Sequence, residues 1–438
     1  MLLDNLMKQS FLRKSLYNSF YNGLNDSCLK ALTTGPLLTA FAVALGAGDI
    51  TLGFLAATIP FCSLMYLPVA YFLEKGTDLK KFTVYCSLAA RPFMFLAAIM
   101  AFFTPSPTIL TFFVISYFLS YLFNTAQGAA FWPWMKELVP SAIINIYLAK
   151  RIRYIMLVKL ITVTLATFTL NLVKDASPHN ELKVYGIFFI IATIFGLFAS
   201  WNLYCVQPKS LSVMHHKHSF FNKICFAFRN KSFKSLLWTL SLINIAYNFM
   251  FPFFTVYVLT GLGLSADIML ALTLLSQIID FMTIEKWSNR VKKSNVFSVM
   301  IQASLLFCLS IALLFIINLV HLNIPQTCIL AGLVLVYTFL GLASSGLMLA
   351  INDAAISFVP RKMSAIYISV CNTARFSAAA LASFSAGFSL NFLKMNFDKQ
   401  NAWTIFFIIS ALWFGLSILY IRKKCVQNKE INWHEPVV

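Results

Sequence analysis

The sequence predicts an all-α membrane protein, with twelve transmembrane helices in two pseudo-symmetric six-helix bundles. Three observations predict it. First, 59% of the 438 residues are hydrophobic and only 11% are charged, with a mean hydropathy of +0.78, whereas soluble domains carry about 25% charged residues. The chain divides into twelve apolar stretches, each able to supply the roughly 20 residues that cross a bilayer. Second, the great majority of the 34 lysines and arginines fall in loops on one side of those stretches, which places both termini in the cytoplasm. Third, one helix-turn-helix unit occurs twice, half a chain length apart.

The repeated unit is clearest in Phe131-Trp-Pro-Trp-Met-Lys-Glu-Leu-Val-Pro140, which continues to Tyr147 and the basic run Lys150-Arg151-Ile152-Arg153. An apolar-Val-Pro returns at Phe358-Val-Pro360, and Tyr367 follows its proline by the same interval as Tyr147. The halves are expected at 1–206 and 235–438, joined by a polar, basic cytoplasmic linker at 207–234 that holds His215, His216 and His218. With no carboxylate or cysteine beside them, those histidines read as a solvated loop rather than a metal site.

Taken in order, span 1 (about Ser15–Leu45) is the most polar, with Asn18, Asn22, Asp26 and Lys30 four apart on one face and Asn25 and Thr33 beside them. Such a stripe faces protein or water, not lipid. Span 2 (about Asp49–Leu73) ends in a polar turn with Glu74, Lys75, Gly76 and Asp78; span 3 (about Phe82–Phe103) carries Arg91-Pro92. Span 4 (about Pro107–Phe131) lines up Ser116, Ser120, Asn124 and Gln127; span 5 (about Arg153–Val173) holds Lys159, and span 6 (about Val184–Val206) is uncharged. Span 7 (about Phe233–Leu259) repeats the polar face of span 1 with Ser241, Asn244 and Asn248, and Pro252 is expected to break it. Span 8 (about Ala266–Ile284) carries Gln277 and Asp280 and leads into Glu285-Lys-Trp-Ser-Asn289-Arg290. Span 9 (about Asn295–Val320) is nearly featureless. Span 10 (about Gln326–Ala350) contains Gly341-Leu-Ala-Ser-Ser-Gly346, small residues that let helices approach closely. Span 11 (about Ser364–Phe392) carries Asn372 and Arg375, and span 12 (about Ala402–Ile421) precedes a basic tail.

The repeated turns resemble the loops between helices 4 and 5 and between 10 and 11 of bacterial major facilitator superfamily (MFS) transporters. The turn after span 2 is similar to that family's loop 2-3 motif, with Glu74-Lys75 in place of Asp-Arg, and Asn289-Arg290 stands at its second copy. The resemblance implies secondary active transport by alternating access. It assigns gate roles to Glu74, Lys75, Glu137, Asn289, Arg290 and Asp353. It also implies that spans 1, 4, 7 and 10 line a cavity, flanked by 2, 5, 8 and 11, with 3, 6, 9 and 12 outside.

Six ionisable residues lie well inside spans: Asp26, Lys30, Arg91, Lys159, Asp280 and Arg375. Each costs at least about 2.5 kcal/mol at mid-bilayer, so each is a functional candidate. Arg91, on an outer span, reads as structural, and Lys159 lies close enough to the cytoplasmic end to snorkel. The expected substrate-binding set is Asp26, Lys30, Asn22, Asn124, Gln127, Asn244, Asn248 and Arg375, with Asp26 and Asp280 as proton-coupling groups. Asp26 and Lys30 on span 1 and Arg375 on span 11 are expected to close on one solute. The excess of cations favours an anionic or zwitterionic solute such as an organic acid, metabolite or siderophore. Export of drugs or amphiphiles, and a non-transporting sensor on the same scaffold, remain open alternatives.

No G-x-S-x-G, H-E-x-x-H or Walker A loop is present, so neither an enzyme nor a nucleotide-driven pump is indicated, and no cofactor is expected. The net charge of +19 belongs to membrane topology and not to nucleic-acid binding. The expected partners are the lipid bilayer, a small-molecule substrate and protons. The chain is expected as an inner-membrane monomer.

Overall fold

The structure, a computed structural model, describes residues 10–74, 78–139, 144–173, 178–206, 231–322, 324–357 and 364–423. The side chains at positions 10–11, 70, 74, 133, 136–137, 144–146, 148–149, 178–180, 231–232, 292, 356–357 and 364–369, Glu74 and Glu137 among them, are outside the description. Twelve helices among the described residues are long and apolar enough to span a membrane. They are Leu12–Ala44, Asp49–Leu73, Leu79–Phe102, Pro107–Trp132, Lys150–Val173, Glu181–Cys205, Phe233–Gly261, Ala266–Val291, Val296–Val320, Gln326–Ala355, Val370–Asn396 and Lys399–Ile421. A helix closes its backbone hydrogen bonds within itself, so a chain this apolar can satisfy every peptide group without water. Outward-facing side chains such as Leu165, Phe168, Leu172, Met282, Leu381 and Phe388 are large, apolar and exposed, as lipid solvation requires.

Local chemistry sets where helices begin. Asp78 caps the helix Leu79–Ile99 by accepting from the Lys81 backbone N–H at 3.1 Å, so this residue of the turn after span 2 has a structural task. Ser106 accepts from the Ile109 N–H at 3.2 Å, with Pro107 at the first helical position. Span 1 is not continuous: its first helix stops at Thr33, Gly35 takes φ +62°, and a second helix starts at Pro36. A left-handed glycine followed by proline ends one helix and nucleates the next. The predicted break at Pro252 is corrected. The α-helix Lys231–Val256 runs through the proline, and the irregularity is a π-helical turn at Tyr257–Gly261. A membrane helix tolerates proline where neighbouring groups re-satisfy the freed carbonyl.

Two compact units emerge. One comprises Met1–Ala47 and Cys62–Lys217, and the other Gly48–Phe61 and His218–Val438. In the first, Phe41 packs its ring on Phe113 at 4.7 Å and on Phe189 at 5.0 Å. The Phe131–Val139 stretch is largely packing: Phe131, Trp134, Met135 and Leu138 are buried with Val84, Leu203 and Val206, while Trp132 faces outward. Pro140 and residues 358–363 lie outside the described residues, as do Lys75 and the three linker histidines. In the second unit, Tyr257, Trp403, Phe406 and Phe407 form an aromatic core. Gly341 and Gly346 act as expected. A Cβ on Gly341 would run into the Ser276 carbonyl, and one on Gly346 would meet the Trp287 ring at 2.7 Å.

Candidate functional site

Within the first unit, the polar stripe of span 1 is divided between two tasks. Asn18 donates to the Cys205 carbonyl at 3.1 Å and Asn22 to the Ala199 carbonyl at 3.0 Å, so the first half of the stripe ties span 1 to span 6. One turn further on, the Asp26 carboxylate meets the Lys30 ammonium at 2.7 Å, and the pair is graded outward: Asp26 is 22% exposed and Lys30 52%. The same unit also buries two arginines, Arg91 on span 3 and Arg151 at the start of span 5.

The arginines are held inside protein. Arg91, 2% exposed, donates through Nε to Ser200 Oγ at 3.3 Å and through Nη2 to Ser87 Oγ at 3.1 Å; the two hydroxyls are 2.7 Å apart. Its Nη1 has no hydrogen-bond partner among the described residues. The absence of a side chain at Gly196 makes the space, since a Cβ there would stand 2.8 Å from that nitrogen. Arg151, also buried, donates to the Ser19 carbonyl and to Asn22 Oδ1, both at 3.4 Å, and its guanidinium lies 5.0 Å from the Phe131 ring centre. Gly23 provides its berth. The sequence reading placed Arg91 as structural and named Arg151 only within the basic run that follows the repeated turn. Their berths depend on neighbours far away in sequence, Ser200 and Gly196 for Arg91 and Ser19, Asn22 and Gly23 for Arg151, though the glycine one helical position from Asn22 was a signal for a close approach.

Asn124 and Gln127 are buried on span 4, and Asn124 Oδ1 has no partner among the described residues. On the same helix, Tyr121 shares a 3.0 Å hydrogen bond with Thr33 Oγ1, and Tyr117 donates to the Thr33 carbonyl at 3.1 Å. These bonds brace the interruption at Gly35.

In the second unit, Asn244 and Asn248 donate to carbonyls of their own helix, Leu240 at 2.7 Å and Asn244 at 2.9 Å. Asp280 is half-buried. Arg375 donates to Asn352 Oδ1 at 2.9 Å and lies over the Phe376 ring at 4.7 Å. Asp353 is half-buried beside that asparagine, and Asn289 and Arg290 are exposed, the latter 5.8 Å from the Trp287 ring. Lys159, in the first unit, is exposed. The structure therefore pairs Asp26 with Lys30 and Asn22 with Arg151 in the first unit, and holds Asn244, Asn248, Asp280 and Arg375 in the second unit.

Neither a protein-family model nor a curated protein matches the chain in sequence. Solved structures do match it in shape. A mutant of the nucleoside transporter NupG superposes with a TM-score of 0.68 at 12% identity, covering 93% of this chain and 99% of that one. A POT family transporter in complex with 5-aminolevulinic acid gives 0.66 at 13%, covering 94% and 96%. The xylose transporter XylE from E. coli, in a partially occluded inward-open conformation, gives 0.65 at 13%, covering 95% and 98%. Twelve spans, a turn repeated half a chain apart and these superpositions converge: the chain has the fold of the major facilitator superfamily transporters.

Proposed function

We propose that the chain is a secondary active transporter that moves a small polar solute, anionic or zwitterionic, across the inner membrane by alternating access and coupled to protons. The observation that carries this reading is the Asp26–Lys30 pair inside a span, at 2.7 Å and partly open. Intramembrane charge is costly and persists where it lines a solute or ion path. Lys30 can hold a carboxylate or phosphate oxygen, and Asp26 an ammonium, which suits both solute classes. Structural neighbours named as transporters of nucleosides and xylose support transport as the activity. The test is flux into proteoliposomes of a panel of organic anions, zwitterions and neutral sugars. Uptake of the charged solutes supports the reading, and no flux of any solute would refute it.

The proton has two candidate seats, Asp26 and Asp280. Asn at either position keeps the shape and cannot titrate. At the coupling position, counterflow exchange is expected to survive while accumulation driven by a pH gradient disappears; retained accumulation in both variants would remove proton coupling through these carboxylates.

Both termini and the linker are proposed to be cytoplasmic, with Glu74, Lys75, Glu137, Asn289, Arg290 and Asp353 at cytoplasmic gates. Single cysteines at Lys80 and Glu181, in a background without other reactive thiols, are expected to label from the cytoplasmic and the outer face respectively. The reverse pattern would overturn the topology.

A further inference from the structure

We infer that the open space over Gly128 on span 4 is a subsite for a hydroxyl group of the solute, with the Tyr66 hydroxyl at its edge. The inference rests on the transport reading above and deepens it by naming the kind of solute carried, one with a hydroxyl beside its charge. A glycine inside a helix is unfavourable compared with alanine, because it loses more backbone freedom on folding and packs no side chain. Elsewhere in the spans close packing explains it: a Cβ at Gly186, Gly341, Gly346 or Gly387 would stand within 2.8 Å of a neighbour. Gly128 has no such neighbour. Among the described residues, the nearest atom to a Cβ built there is Tyr66 Oη at 3.9 Å, and the backbone is not left-handed at this position. Gly415 on span 12 is equally open, but it shares its face with Leu412 and Leu419, which are exposed as lipid-facing residues are.

Gly128 faces protein instead. On the helix Pro107–Leu138 it shares a face with Tyr117, Tyr121 and Asn124, and the two tyrosines reach Thr33 of span 1 by hydrogen bonds of 3.1 and 3.0 Å. That face is closed at the tyrosines, which are buried, and opens at Gly128, which is half-buried. Span 2 supplies the edge. A 3-10 turn at Ser63–Met65 interrupts it, and Tyr66, the next residue, packs against the cluster of Val69 with Ala126, Ala129 and Ala130. All of these residues belong to the first unit. Asn124 is the independent sign of a missing partner. It is 7% exposed, and its Oδ1 accepts no hydrogen bond among the described residues, although a buried acceptor is normally satisfied. The Tyr66 hydroxyl and the Asn124 amide are both neutral and both able to donate and accept. They match a hydroxyl, and leave the charged end of the solute to the Asp26–Lys30 pair.

The test uses the full-length protein in proteoliposomes, in a background without other reactive thiols. Gly128→Cys is expected to unfold at the same temperature as its background, because its Cβ meets only an ordinary contact, and to react with a small methanethiosulfonate reagent. A transported hydroxylated anion from the flux panel, at about ten times its half-saturation, is expected to slow that reaction about 10-fold, as the unoccupied fraction falls by that factor. Matched competitors of its uptake, lactate with propionate and malate with succinate, differ by one hydroxyl. The hydroxylated member is expected to compete better by roughly 3- to 10-fold, the equivalent of one neutral hydrogen bond. That advantage is expected to vanish in Tyr66→Phe and in Gly128→Leu; if Gly128→Leu does not fold, Tyr66→Phe and Gly128→Cys decide. A Gly128→Cys thiol that the solute does not protect, equal competition within each pair, or an advantage that survives Tyr66→Phe would each overturn the inference. Absence of flux refutes transport, whereas flux with an unprotected thiol refutes the subsite alone, so the two failures are distinguishable.

Discussion

Replacing Gly387 by leucine is expected to destabilise the second unit by at least about 3 kcal/mol, the upper end for overpacking a well-packed site, and to abolish transport. The segment 48–61 and the helix Ser364–Asn396 belong to the same compact unit, and they meet backbone to backbone. A Cβ built on Gly387 would stand 2.5 Å from the Asp49 carbonyl oxygen and 2.8 Å from Gly53 Cα; one on Gly53 would stand 2.8 Å from Gly387 Cα and 2.9 Å from the Ser383 carbonyl oxygen. The neighbours are main-chain atoms of packed helices, which cannot rotate aside as a side chain can. The helices would have to separate, and with them the Asp49–Lys394 ion pair, closed at 2.8 Å beside the Trp403 ring. Thermal unfolding and proteoliposome flux measure the two effects. A Gly387→Leu protein that melts and transports like the unmodified chain would show that the contact is not required.

Lys30→Met is expected to weaken the affinity for a transported anion by on the order of 10- to 100-fold, the equivalent of one charge-assisted hydrogen bond of about 1.5–3 kcal/mol. Lys30 is the cation with both reach and exposure: it is half open and lies on the same helix face as Asp26, while Arg91 and Arg151 are buried. Half-saturation in counterflow measures the effect for whichever anion the flux panel identifies. Removing the negative partner acts with the opposite sign, because Asp26→Asn frees Lys30 from its competitor and tightens anion binding. Equal affinity in the Lys30→Met protein would take the lysine out of the binding site.

Much of this molecule is legible in the order of its residues. Long apolar runs separated by basic turns define twelve spans, because the cost of an unsatisfied peptide group in lipid leaves a helix as the only local solution. The Asp26–Lys30 pair was equally legible, since a four-residue spacing on a helix brings two side chains together whatever surrounds it. The same holds for Gly341 and Gly346, which announce a close helix contact by their spacing.

What the tertiary structure alone decided is which helix faces which. Span 1 reads as one polar stripe, yet Asn18 and Asn22 are consumed by carbonyls of span 6 while Asp26 and Lys30 are not. Arg91 looks like an isolated charge on an outer span until Ser87, Ser200 and Gly196 are brought around it. Gly53 and Gly387, or Asp49 and Lys394, stand more than 300 residues apart and carry no motif. Hydropathy and helical periodicity are properties of a single helix and are encoded locally. Counter-ions, glycine berths and main-chain contacts are properties of pairs of helices, and only packing chooses the pairs.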